Sequence, residues 1–214
     1  MINICAIGIG NRARKYLEYV VANPDKAKVC AVVDTDPYRL KEACDRYSLA
    51  ENQCFTNVDD FICSGIRADG VIVATGDDTH YSISRKVIEA GMNLLLEKPM
   101  ADSIDQCREL VALAERRGVI TSMCYVMRYH PYYSRIKEIA VSGELGEIKA
   151  IRHRVNVGID RMTHTFVRGL WARKEDSSPI FISKCCHDVD FIFWLIGQDT
   201  PDEKMDKWNF SHAS

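Results

Sequence analysis

Short apolar runs alternate with amphipathic stretches over the first 122 residues of the chain. Continuous apolar runs are typical of buried strands, and apolar positions three and four residues apart are typical of helices. The alternation therefore predicts a parallel, doubly wound α/β sheet that is covered by helices on both faces. The predicted strands span residues 2–7, 29–33, 54–56, 70–74, 94–96 and 119–123, and the predicted helices span 11–22, 37–47, 59–63, 79–90 and 103–117.

The pattern changes after residue 122. Helices are predicted at 132–142 and 188–196, and the partly alternating residues 147–157 predict one long strand with a solvated face. One strand and two helices cannot bury both faces of a sheet. We therefore expect a complete α/β domain over 1–122, followed by a partial α+β domain over 123–214 that is truncated at its C-terminus. Its exposed apolar surface makes a homo-oligomer possible.

Composition and charge exclude several classes of protein. The net charge of −2 over 214 residues gives no indication of a nucleic-acid or membrane partner. No apolar run approaches the roughly 20 residues that span a bilayer, and no signal peptide is apparent, so we expect a cytoplasmic protein. The nine cysteines are scattered and are expected to be reduced. Cys185, Cys186 and His187 lack a second Cys/His pair at zinc-like spacing, so no metal site is predicted.

The first predicted strand ends on a glycine turn, Gly8-Ile9-Gly10-Asn11-Arg12-Ala13. Glycines between a strand and a helix let the backbone approach a pyrophosphate, which binds at the helix N-terminus. Asp34 ends the second strand, where a carboxylate accepts hydrogen bonds from an adenosine ribose and repels a 2′-phosphate. This arrangement predicts a Rossmann domain that binds NAD, with NADP less favoured. An ordinary strand–turn–helix remains the alternative. The predicted cofactor contacts are Gly8, Gly10, Asn11, Arg12, Ala13 and Asp34.

A second segment, Glu97-Lys98-Pro99, follows the fifth predicted strand. Ligands bind at the carboxyl ends of the strands in an open α/β sheet, so Lys98 brings an ammonium group beside the dinucleotide. S-adenosylmethionine binds similar glycine turns, but a methyl donor needs no ammonium group there. Residues 74–80 border the same site after the fourth strand, and their acidic residues could equally cap the following helix. The cofactor contacts predicted from these two segments are Thr75, Asp77, His80, Glu97 and Lys98.

The chain resembles the glucose–fructose oxidoreductase/inositol dehydrogenase (Gfo/Idh/MocA) family of NAD(P)-dependent oxidoreductases. The resemblance depends on Glu97-Lys98-Pro99 together with the pattern His-x-x-Asp-x-x-x-Trp-Leu-x-Gly that begins at His187. The matching segments occur in the family's order and spacing from residue 1 to about residue 197. They are residues 8–13, 74–80, 97–99, 125–131, 143–148 and 187–197.

The resemblance implies a catalytic pair. Lys98, followed by a cis peptide to Pro99, would hydrogen-bond the reacting hydroxyl or carbonyl beside the nicotinamide. His187 would face the same pocket as an acid/base or as a hydroxyl-binding group. A structural ion pair for Lys98 and a core position for His187 remain alternatives. Weaker candidates for substrate binding are Tyr125, Arg128 and Lys184, and Arg128 could equally brace its loop.

The chain departs from the family in two respects. Relatives usually carry an acidic residue where this chain has Ser183, and the loss of a positioned acid–base group typically costs on the order of 10²–10⁴ in rate. Relatives also continue into further strands that form one wall of the substrate pocket. Our first hypothesis is NAD-dependent hydride transfer to or from a sugar, cyclitol or related polyol. The alternatives are an inactive NAD-binding module or partner subunit, and elimination or glycoside cleavage that uses NAD transiently.

Overall fold

The computed structural model describes residues 1–169, 172 and 180–196, and the first 123 of these form an α/β unit. Each predicted strand and helix of this unit is present, with its ends within two residues of the prediction. The α/β class is therefore confirmed. The strands are β1 Ile2–Ile7, β2 Ala27–Val33, β3 Cys54–Phe55, β4 Gly70–Val73, β5 Asn93–Leu96 and β6 Thr121–Met123. The helices are α1 Asn11–Ala22, α2 Pro37–Arg46, α3 Val58–Cys63, α4 His80–Glu89 and α5 Ile104–Arg117.

The six strands form one parallel sheet in the order β3-β2-β1-β4-β5-β6. From β1 the chain adds β2 and β3 on one side of β1, and it then crosses over to add β4, β5 and β6 on the other side of β1. This reversal opens a crevice at the carboxyl ends of β1 and β4, where doubly wound folds bind their ligands. The ladder continues one residue beyond β4 and β5, since the Ala74 N–H donates to Ile7 O and the Glu97 N–H to Val73 O, both at 2.9 Å. The turns after β1, β4 and β5 therefore meet at one edge.

Two apolar layers hold this edge in place. Successive strand residues point to opposite faces of a sheet, so Ala6 belongs to one layer and Ile7 to the other. Helices α1 and α2 cover the first face, and α3, α4 and α5 cover the second. Buried helical side chains of the layers include Leu17, Val20 and Leu40 on the first face, and Phe61, Ile88 and Leu110 on the second.

The region after β6 contains three α-helices among the described residues: α6 Pro131–Ser142, α7 Ile159–Met162 and α8 Ile180–Leu195. A π-helical turn over Thr163–Val167 follows α7. The predicted helix over 132–142 is confirmed, and α8 begins well before the predicted residue 188 because no glycine or proline interrupts its sequence. Gly197, its predicted stop, lies outside the described residues. The division into domains at residue 122 stays a prediction.

The strand predicted over residues 147–157 is wrong. No strand is assigned there, and none of the described residues pairs with this segment. Alternating hydrophobicity gives a segment two faces, but a strand also needs a hydrogen-bonded neighbour. The segment is held instead by a side-chain contact, in which His153 Nε2 lies 2.8 Å from Asp188 Oδ1 on α8.

One pair of cysteines also departs from expectation. The sulfurs of Cys44 and Cys54 are bonded to each other, whereas the sequence analysis expected all nine thiols to be reduced. Cys44 lies on α2 and Cys54 begins β3, and the packing of this helix against the sheet edge brings their Cα atoms to 6.4 Å. That distance falls within the range that a disulfide requires.

Within the described ranges, none of the helices combines the length and the apolarity that crossing a bilayer requires.

We predict unequal effects of two neighbouring substitutions on α5, where Leu110 is 2% exposed and Val111 is 47% exposed. Leu110→Ala is expected to lower the free energy of unfolding by about 2–5 kcal/mol, because it leaves a cavity between the helix and the sheet. Val111→Ala is expected to change it by about 0.5 kcal/mol or less. Urea denaturation followed by circular dichroism measures both variants, and equal losses would contradict the burial of Leu110.

Candidate functional site

The turn after β1 has the geometry of a phosphate cradle. Gly8 has a φ of +82°, and a Cβ there would lie 2.7 Å from Thr75 Cγ2 and 2.8 Å from the Ala74 carbonyl oxygen, so only glycine fits. A Cβ at Gly10 would instead meet no atom within 4 Å, which leaves open space above the turn. Gly10 caps α1 without a side-chain hydrogen bond, and the first turn of α1 carries no acidic residue. The N–H groups at this helix end are suited to an anion.

Asp34 fixes the shape of this turn from the neighbouring strand. Its carboxylate is 7% exposed, and Oδ2 accepts a hydrogen bond of 2.6 Å from the Ile9 N–H while Oδ1 accepts one of 2.9 Å from the Asp36 N–H. This turn-fixing role was not predicted, because the two residues are 25 positions apart and the sequence contains no local signal for their contact. Each carboxylate oxygen has two acceptor sites, so the predicted ribose contact remains available to Asp34.

The other residues of the glycine turn differ in what they offer a ligand. Asn11 and Arg12 are exposed at the start of α1, and Arg12 Nε lies 3.6 Å from Glu97 Oε1. Ala13 is fully buried, so it packs beneath the turn and has only its backbone to offer. Its small side chain lets α1 lie close to β1.

Glu97 is a structural link as well as a predicted cofactor contact. Its carboxylate is buried, with Oε1 accepting a hydrogen bond of 2.5 Å from the Tyr16 hydroxyl and Oε2 accepting one of 3.0 Å from the Lys98 N–H. Burial, followed by hydrogen bonds with Cys124 and Glu97, raises the pKa of Tyr16, so its hydroxyl stays protonated and donates. This pair joins α1 to the end of β5. This contact was not predicted, because the spacing of Tyr16 assigns it only to the apolar positions of α1.

Lys98 connects the carboxyl edge of the sheet to α8. The peptide between Lys98 and Pro99 is cis, as the resemblance implied. The Lys98 ammonium Nζ donates a hydrogen bond of 2.9 Å to the carbonyl oxygen of Ser183. Ser183 lies one helical turn before His187, and residues four apart share a face of a helix. The two residues predicted to be catalytic are therefore brought to one crevice.

The crevice favours the neutral form of the His187 imidazole. Burial, and then the charge of Lys98, lowers the pKa of His187 below the 6.5 of a free imidazole. Its Nδ1 is buried and has no hydrogen-bond partner among the described residues. The ring packs edge-on against Tyr125, with their centroids 6.0 Å apart. A neutral ring with an unpaired nitrogen can accept a proton.

The segment after β4 holds the turn around Lys98. His80 is fully buried, and its Nδ1 lies 2.6 Å from the Pro99 carbonyl oxygen, so the ring supports this turn from inside the protein. The sequence placed His80 at the start of α4, but the packing of that helix decides which way the ring faces. Thr75 Oγ1 accepts a hydrogen bond of 2.7 Å from Thr79 Oγ1. Asp77, which starts a 3-10 turn before α4, is 6% exposed.

Arg128 binds a carboxylate on α8, which agrees with the loop-bracing role, one of the two roles predicted for it. Its Nε and Nη2 donate to the carboxylate of Asp190 on α8 at 2.9 and 2.7 Å. Tyr125 lies nearby, and burial raises its pKa to about 12. Lys184 is half-buried on α8 and helps to lower the pKa of His187. Tyr125 also lines a hollow of about 370 Å³ together with Ile182, Cys186, Val189, Asp190 and Phe193.

Within the described parts of the chain, no three His, Cys, Asp or Glu side chains are grouped so that they could hold a metal ion.

Comparisons with known proteins identify the relatives of the chain. Residues 2–125 match the family described as "Oxidoreductase family, NAD-binding Rossmann fold". Inositol 2-dehydrogenase 2 of Saccharopolyspora erythraea is 28% identical over 204 residues, which cover 92% of this chain and 55% of that protein. The chain thus spans about half the length of the curated relatives that it matches.

Two solved structures share this fold. Myo-inositol 2-dehydrogenase of Lactobacillus plantarum superposes with a TM-score of 0.80 at 24% identity, and the match covers 92% of this chain and 57% of that one. Scyllo-inositol dehydrogenase of Lactobacillus casei, with bound NAD(H) and scyllo-inositol, also has a TM-score of 0.80, at 21% identity. That match covers 91% of this chain and 56% of the other.

We predict that Arg128 and Asp190 are energetically coupled. The Asp190 side chain is 8% exposed, and hydrogen bonds to charged groups contribute roughly 1.5–3 kcal/mol. In a double-mutant cycle with Arg128→Met and Asp190→Asn, the coupling free energy from urea denaturation is therefore expected to exceed about 1 kcal/mol. The exposed pair Arg135–Glu138 on α6 is the matched control, with about 0.5 kcal/mol or less expected. Equal coupling in the two pairs would contradict the bracing role.

Proposed function

The chain belongs to the oxidoreductase family with an NAD-binding Rossmann fold, and from this premise we propose that it transfers hydride between NAD and a sugar, cyclitol or related polyol. The observation that carries this proposal is the crevice where the Lys98 ammonium reaches the helix that bears His187. A fixed cation and a neutral imidazole are the groups needed to bind an alcohol oxygen and remove its proton.

The glycine turn supplies a fitting place for the dinucleotide. Open space above Gly10 and the uncapped start of α1 suit a pyrophosphate, with Asn11 and Arg12 exposed beside it. Asp34 is placed at the end of β2 to accept the ribose hydroxyls and to repel a 2′-phosphate, which favours NAD over NADP. Bound NAD supplies the hydride acceptor at its nicotinamide ring.

The protein's own groups divide the remaining chemistry between them. In the oxidation direction, Lys98 donates a hydrogen bond to the substrate oxygen and stabilises the negative charge that develops on it. The neutral imidazole of His187 takes the hydroxyl proton as the carbinol hydrogen leaves as hydride. In the reverse direction His187 returns the proton to the oxygen. Burial of the imidazole keeps it neutral near physiological pH, which the first direction requires.

The polyol substrate class is supported by the names of the relatives and by the scyllo-inositol bound to one solved structure. On the substrate side we propose Tyr125 and Lys184, which lie on the two segments that flank the crevice. Arg128 is a weaker candidate because its guanidinium already binds Asp190. We further propose residues 123–214 as the substrate part of the chain, while a homo-oligomer and a cytoplasmic location stay predictions.

A direct experiment tests this function. Titration with NADH, followed by energy transfer from tryptophan, measures the cofactor site. A panel of inositols, sugars and sugar acids with NAD, followed by NADH absorbance, then measures turnover. NADH binding with turnover of a polyol is the expected result. Binding without turnover of any polyol would overturn the enzymatic proposal and favour the non-catalytic NAD-binding module.

We predict that Lys98→Ala separates catalysis from cofactor binding. Removal of the ammonium is expected to lower kcat by at least about 100-fold, because the developing oxyanion loses its charged donor. The Kd for NADH is expected to change by about twofold or less, since the glycine turn and Asp34 are untouched. Lys86→Ala is the control, because Lys86 on α4 pairs with Asp59 on the surface of the protein. Activity that survives Lys98→Ala would contradict the mechanism.

We predict an acidic limb in the pH profile of polyol oxidation. The lowered pKa of His187 moves protonation of the ring to a pH below the 6.5 of a free imidazole, and protonation removes the proton acceptor. kcat at saturating NAD is therefore expected to decline on the acidic side, with a midpoint below pH 6.5. His187→Asn is expected to lower kcat by about 10²–10⁴ and to abolish this limb.

The matched control for this profile is His130→Asn. His130 is exposed and caps α6, and asparagine is also a good helix cap. This variant is expected to keep the wild-type profile. An unchanged acidic limb in His187→Asn would show that another group accepts the proton.

A further inference from the structure

Asp77 is a buried carboxylate, and one of its two oxygens forms no hydrogen bond with the described residues. The residue is 6% exposed, and its Oδ2 has no hydrogen-bond partner among the described residues. An ionised carboxylate in such a place is costly unless an opposite charge compensates for it. Glu97, the other buried carboxylate at this sheet edge, is different because both of its oxygens accept hydrogen bonds.

The sheet register places Asp77 beside the segment that carries Lys98. Val73 at the end of β4 is aligned with Leu96 at the end of β5, and the Glu97 N–H bonds to the Val73 carbonyl. Four residues beyond Val73 is Asp77, and two residues beyond Leu96 is Lys98. The residue after the turn of Asp77, His80, also contacts Pro99, the neighbour of Lys98, because His80 Nδ1 lies 2.6 Å from the Pro99 carbonyl oxygen.

The charges around Asp77 agree with this placement. Burial raises the pKa of the Asp77 carboxyl, and the charge of Lys98, followed by that of His80, lowers it. Asp102 and Asp78 act in the opposite direction and raise it. Lys98 is thus the strongest cationic influence on Asp77, ahead of the buried imidazole on the same turn.

We propose that Asp77 is the counter-ion of Lys98 and positions its ammonium in the crevice. The proposal rests on the proposed function, in which Lys98 binds the substrate oxygen. An ammonium group has three donors, and one of them is directed to the neutral carbonyl of Ser183. Asp77 supplies, through space and without a direct hydrogen bond, the negative charge that this carbonyl lacks, so donors of Lys98 stay available to the substrate. Asp77 is therefore a positioning residue that acts through Lys98.

The charge pair is tested without any turnover, by carbon-13 NMR of the side-chain carboxyl groups as a function of pH. The Asp77 resonance is assigned by its loss in Asp77→Asn. In Lys98→Met the Asp77 carboxyl is expected to titrate at a pH higher by about one unit, because the cation that favoured its ionised form is gone. Lys98→Arg keeps the charge and is expected to leave the titration near that of the wild type.

Thermal unfolding by circular dichroism verifies that the Lys98 variants are folded at the temperature of the titration. An Asp77 carboxyl that titrates at the same pH in wild type and in Lys98→Met would overturn the proposal. A shift of equal size in Lys98→Arg would also overturn it, because loss of packing rather than loss of charge would then be responsible.

The kinetic experiment compares two neighbouring aspartates. Asp77→Asn is expected to lower kcat by about 10- to 100-fold because the donor to the substrate oxygen loses its position, while the Kd for NADH stays within about twofold. Asp77→Glu restores the charge and is expected to recover part of kcat. Asp78→Asn makes the same chemical change at the exposed adjacent position and is expected to leave kcat within about twofold.

The NADH-binding, kcat and titration results distinguish a failure of this proposal from a failure of the proposed function. Weaker NADH binding with unchanged kcat in Asp77→Asn would make Asp77 a cofactor contact and would overturn the positioning role. If the wild-type protein binds NADH but oxidises no polyol, the proposed function fails, and the carboxyl titration still decides whether Asp77 and Lys98 form a charge pair.

Discussion

The site depends on the cost of burying charge. A carboxylate inside a protein is stable only where donors or cations meet it, so each buried acid must bind a defined partner. Asp34 accepts a hydrogen bond from the Ile9 N–H and thereby connects the end of β2 to the turn after β1. Glu97 accepts a hydrogen bond from the Tyr16 hydroxyl and thereby connects the end of β5 to α1. These two contacts give the carboxyl edge of the sheet its shape before any ligand is present.

The same requirement acts within the second region, and one further polar contact joins that region to the first. Asp190 on α8 binds the guanidinium of Arg128, and the Lys98 ammonium reaches the carbonyl of Ser183 on the same helix. His187, which lies between these two contacts along α8, is thereby held against Tyr125. Lys98 and His187 are thus placed by polar contacts between distant parts of the sequence, while the apolar layers hold the sheet that carries Lys98.

The sequence predicted what depends on local pattern. Strand and helix periods, the glycine turn and the residues at strand ends placed Gly8, Asp34 and Lys98 at one edge, because parallel strands share the direction of their carboxyl ends. The strand over residues 147–157 failed because pairing requires a neighbour that a segment's own pattern cannot supply.

The remaining differences also have long-range causes. The contact between Tyr16 and Glu97 spans 81 residues, and the inward direction of the His80 ring is set by the packing of α4. The bond between Cys44 and Cys54 depends on how α2 lies against β3. Local periodicity contains no information on any of these three arrangements.

The hydrogen bond between Lys98 and residue 183 has a consequence for the substitutions that this position tolerates. The acceptor for Lys98 on α8 is a main-chain carbonyl, which every amino acid presents in the same place along a helix. Another small side chain that fits this buried position therefore leaves the acceptor of the lysine in place. The atom that holds the ammonium is part of the main chain of α8, and it does not depend on a particular side-chain chemistry at residue 183.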